Sequence, residues 1–214
     1  MALRLFYHPL SSFCQKVLIA LYEKDAAFER QVVDFSDPEQ TATFKQMWPI
    51  GRFPVLKDES EDRLVPESSI IIEYLDQKLS GGTRLIPADA GKAREMRLRD
   101  RFFDLYVHVP MQKVITDRLR PEGQHDPFGV DQAKDLMHTA YRMVDREMAD
   151  RPWVMGDAFT MADCAAAPAL FYGNMAVPVA EYRNVAAYLE RLKARPSYAR
   201  ALKEAEPFFQ YIPK

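Results

Sequence analysis

The chain has 214 residues, 48% of them hydrophobic, with 29 Lys+Arg against 31 Asp+Glu and a formal net charge of −2. This length allows one large domain or two small ones with a sizeable core. The charge balance argues against a general nucleic-acid binder, and the most apolar window, 161–180, is interrupted by Asp163, Pro168, Asn174 and Pro178, which argues against a membrane span.

Residues 3–7 (LRLFY) predict a short strand, which HPLSS at 8–12 breaks. Apolar residues at 13, 14, 17, 18, 20 and 21 have helical spacing over 12–24. Residues 28–33 alternate like a strand, and Pro38 opens a helix that runs to about 46. Residues 54–57 and 63–65 flank the acidic turn DESED and predict a hairpin, followed by an amphipathic helix over 67–79. The order is β-α-β-α-β-β-α. Its first β-α-β implies a right-handed crossover and a parallel strand pair, and the hairpin adds an antiparallel edge. SGGT at 80–83 reads as a linker, and nothing beyond it reads as strand. A long helical stretch at 89–119 is expected to kink or break at Pro110. A helix at 130–150 follows. Thr160 and Asp163 have capping-box spacing ahead of the Ala-rich, buried stretch 162–171. Helices near 184–195 and 197–205 finish the chain. The expected organisation is an α/β domain at 1–80 with a mixed sheet, a linker at 81–90 and an all-helical domain at 91–214.

Chemistry concentrates in a few places. In GRFPVL at 51–56, Pro54 opens a strand, where its missing N–H is tolerated. If the Phe53–Pro54 bond is cis, the amide and carbonyl of Phe53 turn away from the sheet and stay free. Glu67-Ser68 stands at a helix start, whose free N–H groups make an anion site. A free extended edge beside an anion hole suits a small acidic peptide. Ser11 and Ser12 sit at the mouth of the first helix, as an N-cap or as hydroxyl donors. Tyr7 ends the first strand. Cys14 follows Ser11 by three residues, as a buried helix cysteine or a redox group. Arg52 is an exposed turn residue or a carboxylate clamp. His8, His108, His125 and His138 lack metal-ligand spacing, so no metal is expected. Two cysteines and no basic-then-apolar leader point to a reducing, cytoplasmic setting.

The layout resembles the cytosolic glutathione S-transferases over essentially the whole chain. YHPLSSFCQKV at 7–17 resembles the strand–turn–helix of the serine-type, bacterial-like members; GRFPVL resembles their cis-proline turn; PESSIIIEYL at 66–75 resembles the Glu/Ser pair that receives the γ-glutamyl end of glutathione; and TMADCAAAPAL at 160–170 is similar to their capping-box helix. The chain departs from the pattern at Trp48, where many members have Asn, and at Phe53, where Val or Ile is common. No class is assigned. The resemblance implies a thioredoxin-like first domain and an enzyme that ionises glutathione and adds its thiolate to a small apolar electrophile. Ser11 is the first choice as thiol donor, with Ser12 and Tyr7 as rivals. Arg52, Phe53, Pro54, Glu67 and Ser68 would hold the tripeptide. Phe102, Phe103, Tyr106 and Met111, on the long helix, would line the electrophile pocket or simply form core. A homodimer is implied, with no nucleic-acid or membrane partner. Alternatives are a non-catalytic ligand-binding or interaction protein, a glutathione-dependent isomerase or peroxidase, and a thiol oxidoreductase using Cys14.

A glutathione-like thiol has a pKa of roughly 8.5, so little of it is thiolate at neutral pH. Lowering that value by about two units takes about 2.7 kcal/mol. One hydrogen bond to a charged group supplies about 1.5–3 kcal/mol, and a helix N-terminus adds about 0.3–1 kcal/mol. A single serine hydroxyl at the start of the first helix therefore suffices for most of the effect.

Overall fold

β1 (Leu3–Tyr7) turns Leu3, Leu5 and Tyr7 into the core and leaves Arg4 and Phe6 partly exposed. It runs parallel to β2 (Phe28–Val32), with Leu5 opposite Arg30, and antiparallel to β3 (Val55–Asp58), with Leu5 opposite Leu56. β3 pairs antiparallel with β4 (Arg63–Pro66), which gives the strand order β2-β1-β3-β4. Pro66 sits on an edge strand, where its missing N–H costs no ladder bond. The Phe53–Pro54 peptide bond is cis. The structure, a computed structural model, describes residues 2–213.

Three helices complete this half: α1 (Ser12–Glu23), α2 (Pro38–Met47) and α3 (Ser68–Lys78). Val17 to Leu21 of α1 are fully buried, because α1 packs against α3 on the sheet side and against two helices of the second half. A helix covered on most sides is apolar on most sides, which accounts for its composition. Pro38 stands at the start of α2, and the Asp37 carboxylate caps it by accepting from the Glu39 N–H at 2.8 Å.

The turn between β3 and β4 is tied to α3 through Asp58, which is fully buried. Its carboxylate accepts from Lys78 Nζ at 2.6 Å, Tyr74 Oη at 2.7 Å and the Ser60 N–H at 2.9 Å. Burial alone would raise the Asp58 pKa, but the bonds from Lys78, Ser60 and Tyr74 outweigh it and hold the carboxyl well below the usual range. A depressed carboxylate stabilises the fold above its unfolded pKa and loses that contribution as acid protonates it. The stability of the chain is therefore expected to fall as pH drops below about 4. In Asp58→Asn that acid-dependent part should shrink, together with the stability at neutral pH. Urea melts of both proteins across this range would show it, and parallel curves for the two would refute it.

Residues 79–89 contain neither helix nor strand and are pinned to the first half. The Thr83 N–H donates to the Glu23 carbonyl at 2.7 Å, and the Leu85 N–H to Asp76 at 2.9 Å. Gly82 has φ +69°, and a Cβ there would collide with the Glu23 carbonyl, so the tight approach requires glycine. Beyond it come α4 (Ala90–Phe102), α5 (Val109–Asp117), α6 (Pro127–Glu147), α7 (Met161–Ala176), α8 (Arg183–Ala194) and α9 (Pro196–Ala205). α7 packs on α1 and joins both halves in one core. Its start carries a capping box: the Thr160 N–H donates to the fully buried Asp163 carboxylate at 2.8 Å. That carboxylate also accepts from the Val154 N–H at 2.9 Å and Tyr188 Oη at 2.6 Å, tying α7 to α8.

Two boundaries differ from the sequence pattern. α6 starts at Pro127 rather than near 130, because Asp126 caps it through the Gly129 N–H and Pro127 fits the first turn. The 89–119 stretch does not break at Pro110. A π-helical turn, Phe103–His108, precedes it, and the Val109 N–H reaches back five residues to the Asp104 carbonyl. Pro110 has no N–H to offer the preceding turn, and the widened turn accommodates that loss, so the helical backbone continues through Pro110.

Candidate active site

α1 and the π-helical turn face one another in antiparallel register, and two rungs join them. Lys16 meets Asp104, and four residues earlier on α1 Ser12 meets His108, four residues later on the turn. The spacing of four on both sides puts each pair on a single helix face. In the first rung Lys16 Nζ, 1% exposed, lies 2.7 Å from Asp100, 2.9 Å from Asp104 and 2.9 Å from Ser69 Oγ. Ser69 in turn donates to Asp100 at 2.6 Å, which brings α3 into the cluster. In the second rung Ser12 Oγ contacts His108 Nε2. His108 is 4% exposed, and the ring of Phe13 meets it edge-on at 4.0 Å. Burial, aided by the Lys16 ammonium, pushes the His108 pKa down to about 4, so the ring is neutral at pH 7.

The second rung forms the floor of a cavity of about 320 Å3 between the two halves. Ser11, Ser12 and His108 are among its polar groups, with Gln112, Thr116, Tyr172 and Tyr211, and Met111, Ile115 and Ile212 are among its apolar walls. The chain's last described residues close one side. Arg118 fastens them, donating to the Pro213 carbonyl at 3.2 Å and to the Met175 carbonyl at 3.3 Å. A second cavity, about 380 Å3, is lined by Arg52, Phe53, Pro54, Glu67, Ser68 and Asp104, among others. Phe13, Phe53 and Gln112 line both, so the two cavities adjoin.

Most of the residues singled out in the sequence come together here. Ser11 is the N-cap of α1, and its Oγ accepts from the Cys14 N–H at 3.3 Å. That bond engages an oxygen lone pair and leaves Ser11 a proton to donate. Arg52, Phe53, Pro54, Glu67 and Ser68 converge on the second cavity. Glu67 has φ 70°, a strained value for a non-glycine residue, and its side chain does not cap α3. The first N–H groups of α3 are thus left to whatever occupies the cavity. Met111 lines the first cavity.

Tyr7, Phe102, Phe103 and Tyr106 lie elsewhere. Tyr7 is buried within the first half, and burial, with Glu204, raises its pKa, which disfavours a phenolate. Phe102 and Phe103 pack edge-to-face in the core, and Tyr106 is 44% exposed against the outer side of Phe102. The cavity-facing side of this stretch is instead His108, Met111, Gln112 and Ile115. His108 has no metal-ligand spacing, so its sequence neighbours alone give it no role. The usable signal was the matched spacing of four, Ser12/Lys16 against Asp104/His108. Cys14 is fully buried, and burial pushes its thiol up to about 12, which disfavours a thiolate there at neutral pH.

Comparison with known proteins bears on the family and the fold. The description "Glutathione S-transferase, N-terminal domain" matches residues 5–83, and "Glutathione S-transferase, C-terminal domain" matches residues 127–191. The chain belongs to the glutathione S-transferase family. Among its relatives is glutathione S-transferase hmp2 of Hypomyces subiculosus, 26% identical over 96% of this chain and 100% of that protein. A glutathione S-transferase of Methylobacillus flagellatus, solved with GSH bound, superposes with a TM-score of 0.84 at 24% identity, covering 93% of this chain and 98% of that one. One from Methylobacterium radiotolerans, in complex with glutathione sulfonate, gives a TM-score of 0.81 at 26% identity, with 94% of each chain covered. Both halves thus have the family fold: a four-stranded mixed sheet with helices, then an all-helical domain.

Proposed function

We propose that this family member binds glutathione in the cavity of Arg52, Phe53, Pro54, Glu67 and Ser68, ionises the thiol with the Ser11 hydroxyl, and adds the thiolate to a small apolar electrophile held in the adjoining cavity. The observation that carries this reading is the adjacency itself. A groove with a helix N-terminus, a serine and an arginine suits the two carboxylates of the tripeptide. It opens beside a largely apolar chamber into which the start of α1 brings two adjacent hydroxyls, Ser11 and Ser12. The Ser68 hydroxyl and α3 amides would receive the γ-glutamyl carboxylate, and Arg52 the glycyl carboxylate. The Phe53 main chain would pair with the cysteinyl unit.

The sulfur would then lie at the N-terminus of α1, where the Ser11 O–H and the helix dipole both favour its anion. Attack forms the new S–C bond. The electron pair it displaces leaves with the departing group or is protonated by solvent. The predominantly apolar chamber excludes water and favours a hydrophobic second substrate. No helix among the described residues is long and apolar enough to cross a membrane, and the two buried free cysteines suit a reducing, cytoplasmic setting. Exposed Ile70, Leu105 and Val109 rim the glutathione groove, which supports a homodimer whose second copy covers them.

Retention on immobilised glutathione tests the reading. The chain should bind and elute with free glutathione, and light scattering of the eluate should give about twice the 24.7 kDa chain mass. Ser68→Ala should weaken binding roughly tenfold or more, as expected for a lost hydrogen bond to a charged group. Passage of the unmodified chain straight through the column would refute the proposal.

A further inference from the structure

Ser11 and Ser12 both open onto the electrophile cavity, but their hydroxyls are held differently. Ser11 Oγ accepts a backbone N–H, whereas Ser12 Oγ faces a ring nitrogen of His108. The other ring nitrogen, Nδ1, is buried and has no partner among the described residues. A neutral imidazole can occupy this place in two ways. With Nε2 bare, Ser12 must donate to it, which leaves Nδ1–H as a buried orphan donor. With Nε2 protonated, the ring donates to Ser12 Oγ, the Ser12 proton is freed for the cavity, and Nδ1 is a bare acceptor. Among buried backbone groups, orphan N–H donors are rarer than under-satisfied acceptors, and the same desolvation argument favours the second arrangement for the ring. The Lys16–Asp104 rung one turn away keeps the two helices in the register that this contact needs.

We propose that His108 is a positioning residue of the thiol site: its Nε2–H donates to Ser12 Oγ and thereby aims the Ser12 O–H at the glutathione sulfur, as a second donor beside Ser11. This rests on the glutathione reading above. The chain Nε2–H···Oγ–H···S⁻ is polarised in one direction, so each bond strengthens the next. No proton changes owner. The ring stays neutral throughout, and its burial keeps water from competing for Ser12.

The test has two arms. In the unmodified, 15N-labelled chain, the imidazole shifts of His108, assigned by their loss in His108→Gln, should be those of a neutral ring protonated on Nε2. A ring protonated on Nδ1 overturns the proposal, and His108→Asn serves for the assignment if His108→Gln does not fold. In the second arm, the ultraviolet thiolate band of bound glutathione is measured at pH 7. His108→Leu should lower the thiolate-to-thiol ratio about tenfold, as expected for one weakened charge-assisted hydrogen bond. Ser12→Ala should match it, and the double variant should go no lower. His108→Gln, whose amide N–H also reaches Ser12, should recover much of the band. An unchanged band in His108→Leu, or additive losses in the double variant, overturns this proposal alone. No thiolate band in the unmodified chain would overturn the glutathione reading, and this one with it.

Discussion

Ser11→Ala should lower the thiolate fraction of bound glutathione at neutral pH by about tenfold to a hundredfold, and kcat/KM for a small apolar electrophile with it. The range follows from about 1.5–3 kcal/mol for a hydrogen bond to a charged group, at about 1.4 kcal/mol per tenfold. The substitution also removes the N-cap of α1, which costs about 1 kcal/mol of stability. Ser11→Gly separates the two effects, since glycine is nearly as good an N-cap but has no hydroxyl. Both variants should lose thiolate to the same extent, while the glycine variant melts close to the unmodified chain. A thiolate band of normal size in Ser11→Gly, with a loss in Ser12→Ala, would move the primary donor to Ser12.

The other large effect belongs to Lys16. Its ammonium is the counter-ion of two buried carboxylates, Asp100 and Asp104, which are 1% and 4% exposed. Burial, and the neighbouring Asp104 charge, already push the Asp100 pKa up despite Lys16. Lys16→Met keeps the length of the side chain but leaves both charges without that partner. It should destabilise the fold by about 3–5 kcal/mol at pH 7. Carboxyls whose folded pKa lies above the unfolded value destabilise most at high pH, and the penalty fades as pH falls through the raised value. The gap between the variant and the unmodified chain should therefore narrow on acidification. Denaturant melts at neutral and mildly acidic pH measure it, and a gap that widens in acid would refute this account. Because α1 and the turn carrying His108 are joined through this rung, the surviving fold should also bind and ionise glutathione less well.

Much of this was legible in the sequence because the informative residues act locally. The alternation of Leu3, Leu5 and Tyr7, Pro38 at a helix start, and the Thr160/Asp163 pair each constrain their own neighbourhood, and the elements lie within a residue or two of where those signals put them. The grouping of Phe53, Pro54, Glu67 and Ser68 was visible because a proline at a strand start and a Glu-Ser at a helix start are backbone signals. The stretch 102–111 was legible only in part: Met111 lines the cavity, while Phe102 and Phe103 take the core alternative. Its aromatic residues were projected at ordinary helical spacing, but the wider turn before Pro110 changes which side chains face α1. His108 thus reaches the cavity floor while Tyr106 faces outward. Nor does periodicity reveal that residues 211–213 fold back over the cavity beside His108, since that depends on one guanidinium gripping two distant carbonyls.

The burial of Cys14 and Cys164 has a practical consequence. Burial pushes both thiols far above neutrality, to about 12 for Cys14 and well above the usual value for Cys164. Both thiols are therefore expected to react slowly with maleimides, haloacetamides and aromatic disulfide dyes while the fold is intact. With glutathione added, a fast colour change from a disulfide dye should then count the tripeptide, so its sulfur could be titrated on the unmodified protein without blocking a single side chain.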